Sequence, residues 1–194
     1  SLLPDAAEKP VDAPVNDAAP AEPLPAAPAP EGAPYREYTR ELTHLNSIRD
    51  NTLANALLEL VQVEGPVLQS RVISRIGKLS GTVMNASARS IVASKIELLL
   101  QTGQLAATDE PTPDGGTDRT LHLPDTAAAC LRTRGTRDWT EIPASEFRLL
   151  AEQLRAHLCC LNGCEQHLRA IMAFYRITRM NKKFSDFILE ILRN

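Results

Sequence analysis

The chain has 194 residues, 43% of them hydrophobic, which is enough apolar material for one ordinary core or two small ones and excludes a chain disordered throughout. Its longest apolar runs, such as IELLL at 96–100, are far too short to span a bilayer, so no membrane role follows. The formal net charge of −3 is unevenly spread: residues 1–34 hold six acids and one base, a net of −5, which leaves residues 35–194 mildly basic at +2.

Residues 1–34 also hold nine of the fourteen prolines. Proline fixes φ and removes a backbone donor, so this segment is expected to be an extended, solvated linker, the tether of a C-terminal piece of something longer. Residues 35–50 then place Tyr35, Tyr38, Leu42, Leu45 and Ile48 at helical spacing, which predicts a lead-in helix with one apolar edge.

From Asn51 the pattern sharpens. Leu53, Leu57, Leu60 and Val61 lie on one face of a helix ending near Gly65, and Pro66 suits the first position of the next. That second helix is expected to bury Leu68, Val72, Ile73, Ile76 and Leu79. A third, from about Ala86 to Thr102, buries Val92, Ile96, Leu99 and Leu100, with Gly103 as its cap. QLAAT (104–108) and RTLHL (119–123) flank the turn-rich DEPTPDGGTD as strand candidates of a hairpin. Three helices followed by a hairpin predict a winged helix-turn-helix over 51–125.

After a connector at 126–138, residues 139–194 repeat the unit without a wing. One helix presents Phe147, Leu150, Leu154 and Leu158; a second buries Leu168, Ile171, Met172 and Phe174 or Tyr175; a third, from about Met180, buries Phe184, Phe187, Ile188, Ile191 and Leu192. Setting Gly65 on Gly163, an offset of 98, superposes Arg71 on Arg169, Ile73 on Ile171 and Lys78 on Arg176. The fold class predicted is therefore mainly α, with tandem helix-turn-helix units, the first a winged helix with a small β-hairpin.

VEGPVLQSRVISRI, followed about 65 residues later by EIPASEF and preceded by a proline-rich lead into PYREY, resembles the domain of unknown function at the C-terminal end of very large bacterial superfamily-one helicases. There it follows the helicase core and a restriction-endonuclease-like nuclease domain. The resemblance spans roughly Tyr35 to Asn194 and implies an accessory, non-catalytic module on a nucleic-acid motor, with the helicase and nuclease domains of the parent chain as partners. TRMNKK stands where a Gly-rich approach to the last helix is the usual pattern, which leaves the geometry of that turn open.

The chain itself carries no GxxxxGK(S/T) phosphate loop, no GxGxxG after a strand, no HExxH and no GxSxG, so no enzyme motif is in view and no cofactor is called. Its four cysteines lack the even spacing of a secreted disulfide framework and no stretch has signal-peptide order, which reads as cytoplasmic and reduced. His157, Cys159, Cys160, Cys164 and His167 fall within eleven positions, but their spacing matches no familiar zinc motif. Cysteine as a small buried hydrophobe is the preferred reading, and no metal is called.

The cations carry the functional expectation. At about 100° per residue, Arg71, Arg75 and Lys78 form one stripe opposite the apolar face, and Arg169 with Arg176 repeats it. Such a helix crosses the phosphate backbone in a helix-turn-helix, so duplex DNA is the expected partner; the bland alternative is an ordinary solvated face. The third helix exposes Ser87, Ser90, Ser94, Glu97 and Gln101, with Arg89 and Lys95 at its margins, a poor set for reading bases. Asp109, Glu110, Asp114 and Asp118 on the hairpin are expected to keep it off phosphates. Arg179, Lys182 and Lys183 crowd the start of the last helix, where the macrodipole disfavours cations unless an anion neutralises them. Trp139 is expected to anchor the two units together. A docking module for protein or intramolecular contacts is the alternative to nucleic-acid binding.

Overall fold

The computed structural model describes residues 30–155 and 165–193, in which the apolar stripes become six helices, a small antiparallel sheet and two separate cores. Helix α1 (Asp50–Glu64) buries Leu53, Leu57, Leu60 and Val61 as its spacing predicts. Pro66 does not open the next helix: after a cis Gly65–Pro66 bond, a two-residue strand β1 (Val67–Leu68) precedes α2 (Gln69–Leu79). Helix α3 (Ala86–Gln101) begins where the Asn85 side chain accepts from Ala88 N at 2.9 Å, which satisfies an otherwise orphaned donor. Gly103, with φ +70°, turns the chain after it.

Strands β2 (Ala106–Pro111) and β3 (Thr117–His122) form the predicted hairpin, with Asp109 opposite Arg119. Strand β1 joins on the other side of β3, Val67 opposite Leu121, giving the order β1-β3-β2. Leu121 is thereby fully buried in the first core with Leu60, Val72, Ile76, Val92 and Ile96.

The lead-in helix does not form. Residues 35–49 have no helix, only a turn at 45–47. The reason lies in where their donors go. Tyr35 N donates to Thr133 Oγ1 (3.1 Å), Tyr38 N to Glu64 Oε1 (3.0 Å), Leu42 N to Leu79 O (2.9 Å) and Leu45 N to Thr82 Oγ1 (3.1 Å). Each finds a partner distant in sequence, so the segment lies as a strap across α1 and α2, with Tyr38 and Leu45 in the core. The predicted linker is likewise tied at its end, because Ala33 bridges Arg132.

The second unit comprises α4 (Ala144–Arg155), α5 (Glu165–Phe174) and α6 (Lys182–Arg193), with no strand among its described residues. Its core gathers Phe147, Leu150, Ile171, Tyr175, Phe184 and Ile188. Phe147 meets Tyr175 edge to face at 5.1 Å, the favoured geometry for ring quadrupoles. Trp139 packs on Phe184 at 5.2 Å and on Phe187 at 6.3 Å, so it fastens the connector to the second unit and does not bridge the two as expected. Among the described residues, no helix is long and apolar enough to cross a membrane.

Three hairpin acids find partners, one within the first unit and two on the second. Asp118 Oδ2 accepts from Ser70 N (3.3 Å) at the start of α2, and Glu110 Oε2 accepts from Ser145 N (3.2 Å) at the start of α4. Both carboxylates sit at the positive end of a helix, where a negative charge stabilises it. Asp114 pairs with Lys183 of α6 at 2.5 Å.

Candidate nucleic-acid interface

Glu64 lies on the apolar face of α1, seven residues after Leu57, and is fully buried there. A buried carboxylate must be matched by buried cations, and Arg71 and Arg75 on the next helix supply them. Arg71 Nε is 3.1 Å from Glu64, its Nη1 2.7 Å from Glu141 and its Nη2 3.6 Å from Glu37; only 4% of its side chain is exposed. Arg75 reaches Glu37 at 2.8 Å and Glu64 at 3.5 Å, and donates to the Tyr38 carbonyl. The predicted phosphate-facing stripe is thus corrected: its two arginines are internal counter-ions, covered by the strap at 35–49, and only Lys78 remains exposed. Burial disfavours the Arg71 charge, but Tyr35, Glu141 and Glu64 outweigh it and hold the guanidinium firmly protonated.

A second ionic cluster adjoins the first. Glu146, fully buried on α4, accepts from Arg137 at 2.7 Å and from Arg132, which also donates to the carbonyls of Glu64, Gly65 and Pro66. The Tyr35 ring lies against the guanidiniums of Arg137 (4.3 Å), Arg132 (5.3 Å) and Arg71 (5.5 Å), and its hydroxyl donates to Glu64. Gly135, with φ +59°, passes directly over this ring; a Cβ there would sit 2.6 Å from Tyr35 Cδ1. One tyrosine and two buried carboxylates therefore lock the strap, the first unit, the connector and the second unit into one polar joint.

The remaining predicted residues divide into neutralised and open cations. Lys95 is mostly buried and paired with Asp50 at 2.5 Å. Arg169 is exposed but paired with Glu165 (2.6 Å), and Lys182 with Asp186 (2.7 Å), both at i,i+4. The Asp186 partner raises the Lys182 pKa, first through its hydrogen bond and then through its charge. The offset-98 equivalence therefore fails in environment: Arg71 is buried and Arg169 is in solvent. Lys78 and Arg89 are exposed on either side of the α2–α3 turn, Arg89 Nε donating to the Met84 carbonyl at 3.1 Å. Arg179 precedes α6 and is not within its first turn, which Asn181 caps by accepting from Phe184 N at 2.8 Å.

What the structure does gather is an edge of the second unit. Arg176 follows α5 with φ +52°, and its carbonyl accepts from Arg134 Nη1 at 3.1 Å. Arg134 Nε in turn donates to the Arg137 carbonyl at 2.8 Å, so carbonyls alone orient this guanidinium. Arg179 lies exposed three residues on. Among the described residues, no carboxylate lies within ion-pair distance of Arg134, Arg176 or Arg179. Sequence reasoning placed Arg176 and Arg179 in the interface but missed Arg134. Its signal was present in RTRGTRDW, three arginines around a single glycine.

Of the cysteine and histidine cluster, His157, Cys159, Cys160 and Cys164 lie outside the described residues. His167 is buried on α5, where desolvation first and the Arg155 charge second lower its pKa. No known family matches the chain, and neither does any curated protein or solved structure.

Proposed function

We propose that this chain is an accessory, non-catalytic nucleic-acid-binding module that grips the phosphate backbone with little base specificity. The observation that carries the proposal is the open basic edge of Arg134, Arg176 and Arg179, with Lys182 and Lys183 following at the start of α6 on paired but exposed side chains. Guanidiniums without a carboxylate partner among the described residues, that of Arg134 held by two carbonyls, suit phosphate oxygens. In this reading the two units are tandem helix-turn-helix modules. The first is a winged helix, supported by its order of helix, strand, two helices and two strands with β1 beside β3. In this reading, which follows the resemblance to the terminal domain of large helicases, the module would act in the cytoplasm beside a motor and a nuclease, where any ATPase or cleavage chemistry would reside.

Fluorescence anisotropy of the whole chain with a labelled random-sequence duplex, at low and at physiological salt, tests this. Each phosphate contact is expected to contribute about −0.9 to the slope of log affinity against log salt, so a basic edge with about three contacts predicts a slope near −3. Absence of binding at low salt would overturn the reading.

One observation favours a second reading, a docking module. Helix α3 exposes Ile91 (42%) and Leu98 (46%) among Ser87, Ser90 and Ser94, and Val83 in the preceding turn is 83% exposed. Exposed apolar side chains among serines fit a protein surface better than a phosphate backbone. Association with the helicase or nuclease portion that is insensitive to salt and lost on Leu98→Asp is its expected result.

A further inference from the structure

A cleft of about 560 Å³ opens between the connector loop and the α5–α6 turn, lined by Thr133, Arg134, Gly135, Phe174, Tyr175 and Arg176. Its size lies within the range of small-ligand sites. Phe174 is half-buried, and Tyr175, packed edge to face against it at 4.9 Å, backs its ring from the core. Arg176 is exposed, and Arg134 is fixed by two carbonyls. The cleft therefore joins an aromatic surface to two guanidiniums without a counter-ion among the described residues.

We infer that this cleft holds an unpaired nucleotide of a single strand, its base against Phe174 and its phosphate at Arg134 and Arg176. The inference rests on the nucleic-acid reading and deepens it. A positively charged groove with an aromatic stacking surface is the combination by which single strands are bound with little regard to sequence. A blunt duplex keeps its bases stacked and paired, so it offers phosphates to the basic edge but no base to the cleft. The chain is thus selective for strand ends, gaps and junctions over continuous duplex.

The test is anisotropy of the whole chain with a fluorescein-labelled oligothymidylate and with a blunt duplex of the same length. The expected result is tighter binding of the single strand, and a loss of at least about fivefold for the strand on Phe174→Leu with little change for the duplex, given the usual contribution of base stacking. Phe174→Tyr keeps the ring and is expected to keep the preference. Should Phe174→Leu fail to fold, Arg176→Asn provides the second test, because Asn tolerates the positive φ while removing the guanidinium; it is expected to lower strand affinity several-fold. Duplex binding without strand preference, or strand affinity unchanged in folded Phe174→Leu or in Arg176→Asn, would overturn the cleft assignment and leave the backbone-gripping reading standing. Binding of neither probe at low salt overturns both. Displacement of the strand by thymidine monophosphate at equal nucleotide concentration would instead assign the cleft to a free nucleotide and overturn the strand proposal.

Discussion

Replacing Arg71 with Ala separates a counter-ion from a phosphate contact. In the folded chain the Arg71 guanidinium lies against Glu64, Glu141, Glu37 and the Tyr35 hydroxyl, and Glu64 is fully excluded from water. Truncation leaves Glu64 with Arg75, at 3.5 Å, as its one remaining cation, and strands the strap that Tyr35 anchors. Breaking a buried pair of this kind costs about 3–5 kcal/mol, a large share of the roughly 5–15 kcal/mol that holds a domain folded. With a urea dependence of about 1–3 kcal/mol per molar, the unfolding midpoint is expected to fall by about 1 M or more. Urea titration followed by circular dichroism measures it, with Lys182→Ala as the control: that exposed pair should leave stability within about 0.5 kcal/mol. A midpoint unchanged in Arg71→Ala, together with weakened DNA binding, would refute the counter-ion account and restore Arg71 to the interface.

Three further outcomes follow from the same joint and its surroundings. Glu146→Ala leaves Arg132 and Arg137 as buried guanidiniums without a carboxylate, and is expected to destabilise by about 3 kcal/mol or more in the same urea assay. All three tyrosines should titrate late: burial first, then hydrogen bonds to Glu64 and Glu59, raises Tyr35 and Tyr38, the latter to about 12, and burial followed by the Glu146 charge raises Tyr175. Because these folded pKa values exceed the unfolded value of about 10, their contribution is complete below pH ~10 and is lost as pH rises through the folded values. Phenolate absorbance should therefore appear together with unfolding, and smooth titration near pH 10 in a folded chain would contradict it. Arg176→Asn, at a φ of +52° that Asn tolerates better than Arg, is expected to hold or raise the melting temperature slightly.

The helices were legible because burial in each first-unit helix follows one period: Leu53, Leu57 and Leu60, then Val72, Ile73 and Ile76, then Val92, Ile96 and Leu99 are all inside. The same period misassigned Arg71 and Arg75. A helical projection shows one apolar face and treats the opposite face as solvent, but α2 is covered there by residues 35–49, whose own spacing looked helical. Tyr35, Tyr38 and Leu42 are spaced for a helix, yet their donors and rings are claimed by residues about 20 to 100 positions away, and tertiary demand overrides local pattern. A readable sign did exist. Glu64 continues the stripe of Leu57, Leu60 and Val61, and Glu146 stands in phase with Leu150 and Leu154, so each places a carboxylate where an apolar residue belongs. A carboxylate in a core register requires cations nearby, and the chain offered Arg71, Arg75, Arg132 and Arg137.

That requirement also bears on how the two halves of this small chain are joined. The two apolar cores do not merge, so little hydrophobic driving force fixes one unit against the other. Orientation is set by polar groups with directional demands: Arg132 spans from Glu146 on α4 to the carbonyls at the end of α1, Arg71 spans from Glu64 to Glu141, and Glu110 of the hairpin reaches the start of α4. Buried ionic networks contribute modestly to net stability but tolerate few alternative arrangements, because any misplacement leaves a charge unmatched. The Glu146 end of this joint positions the connector turn that carries Arg134 against the turn that carries Arg176. Because Glu146 holds Arg137, whose carbonyl orients Arg134, loosening the joint at Glu146 should reduce nucleic-acid binding even though Glu146 itself touches no ligand.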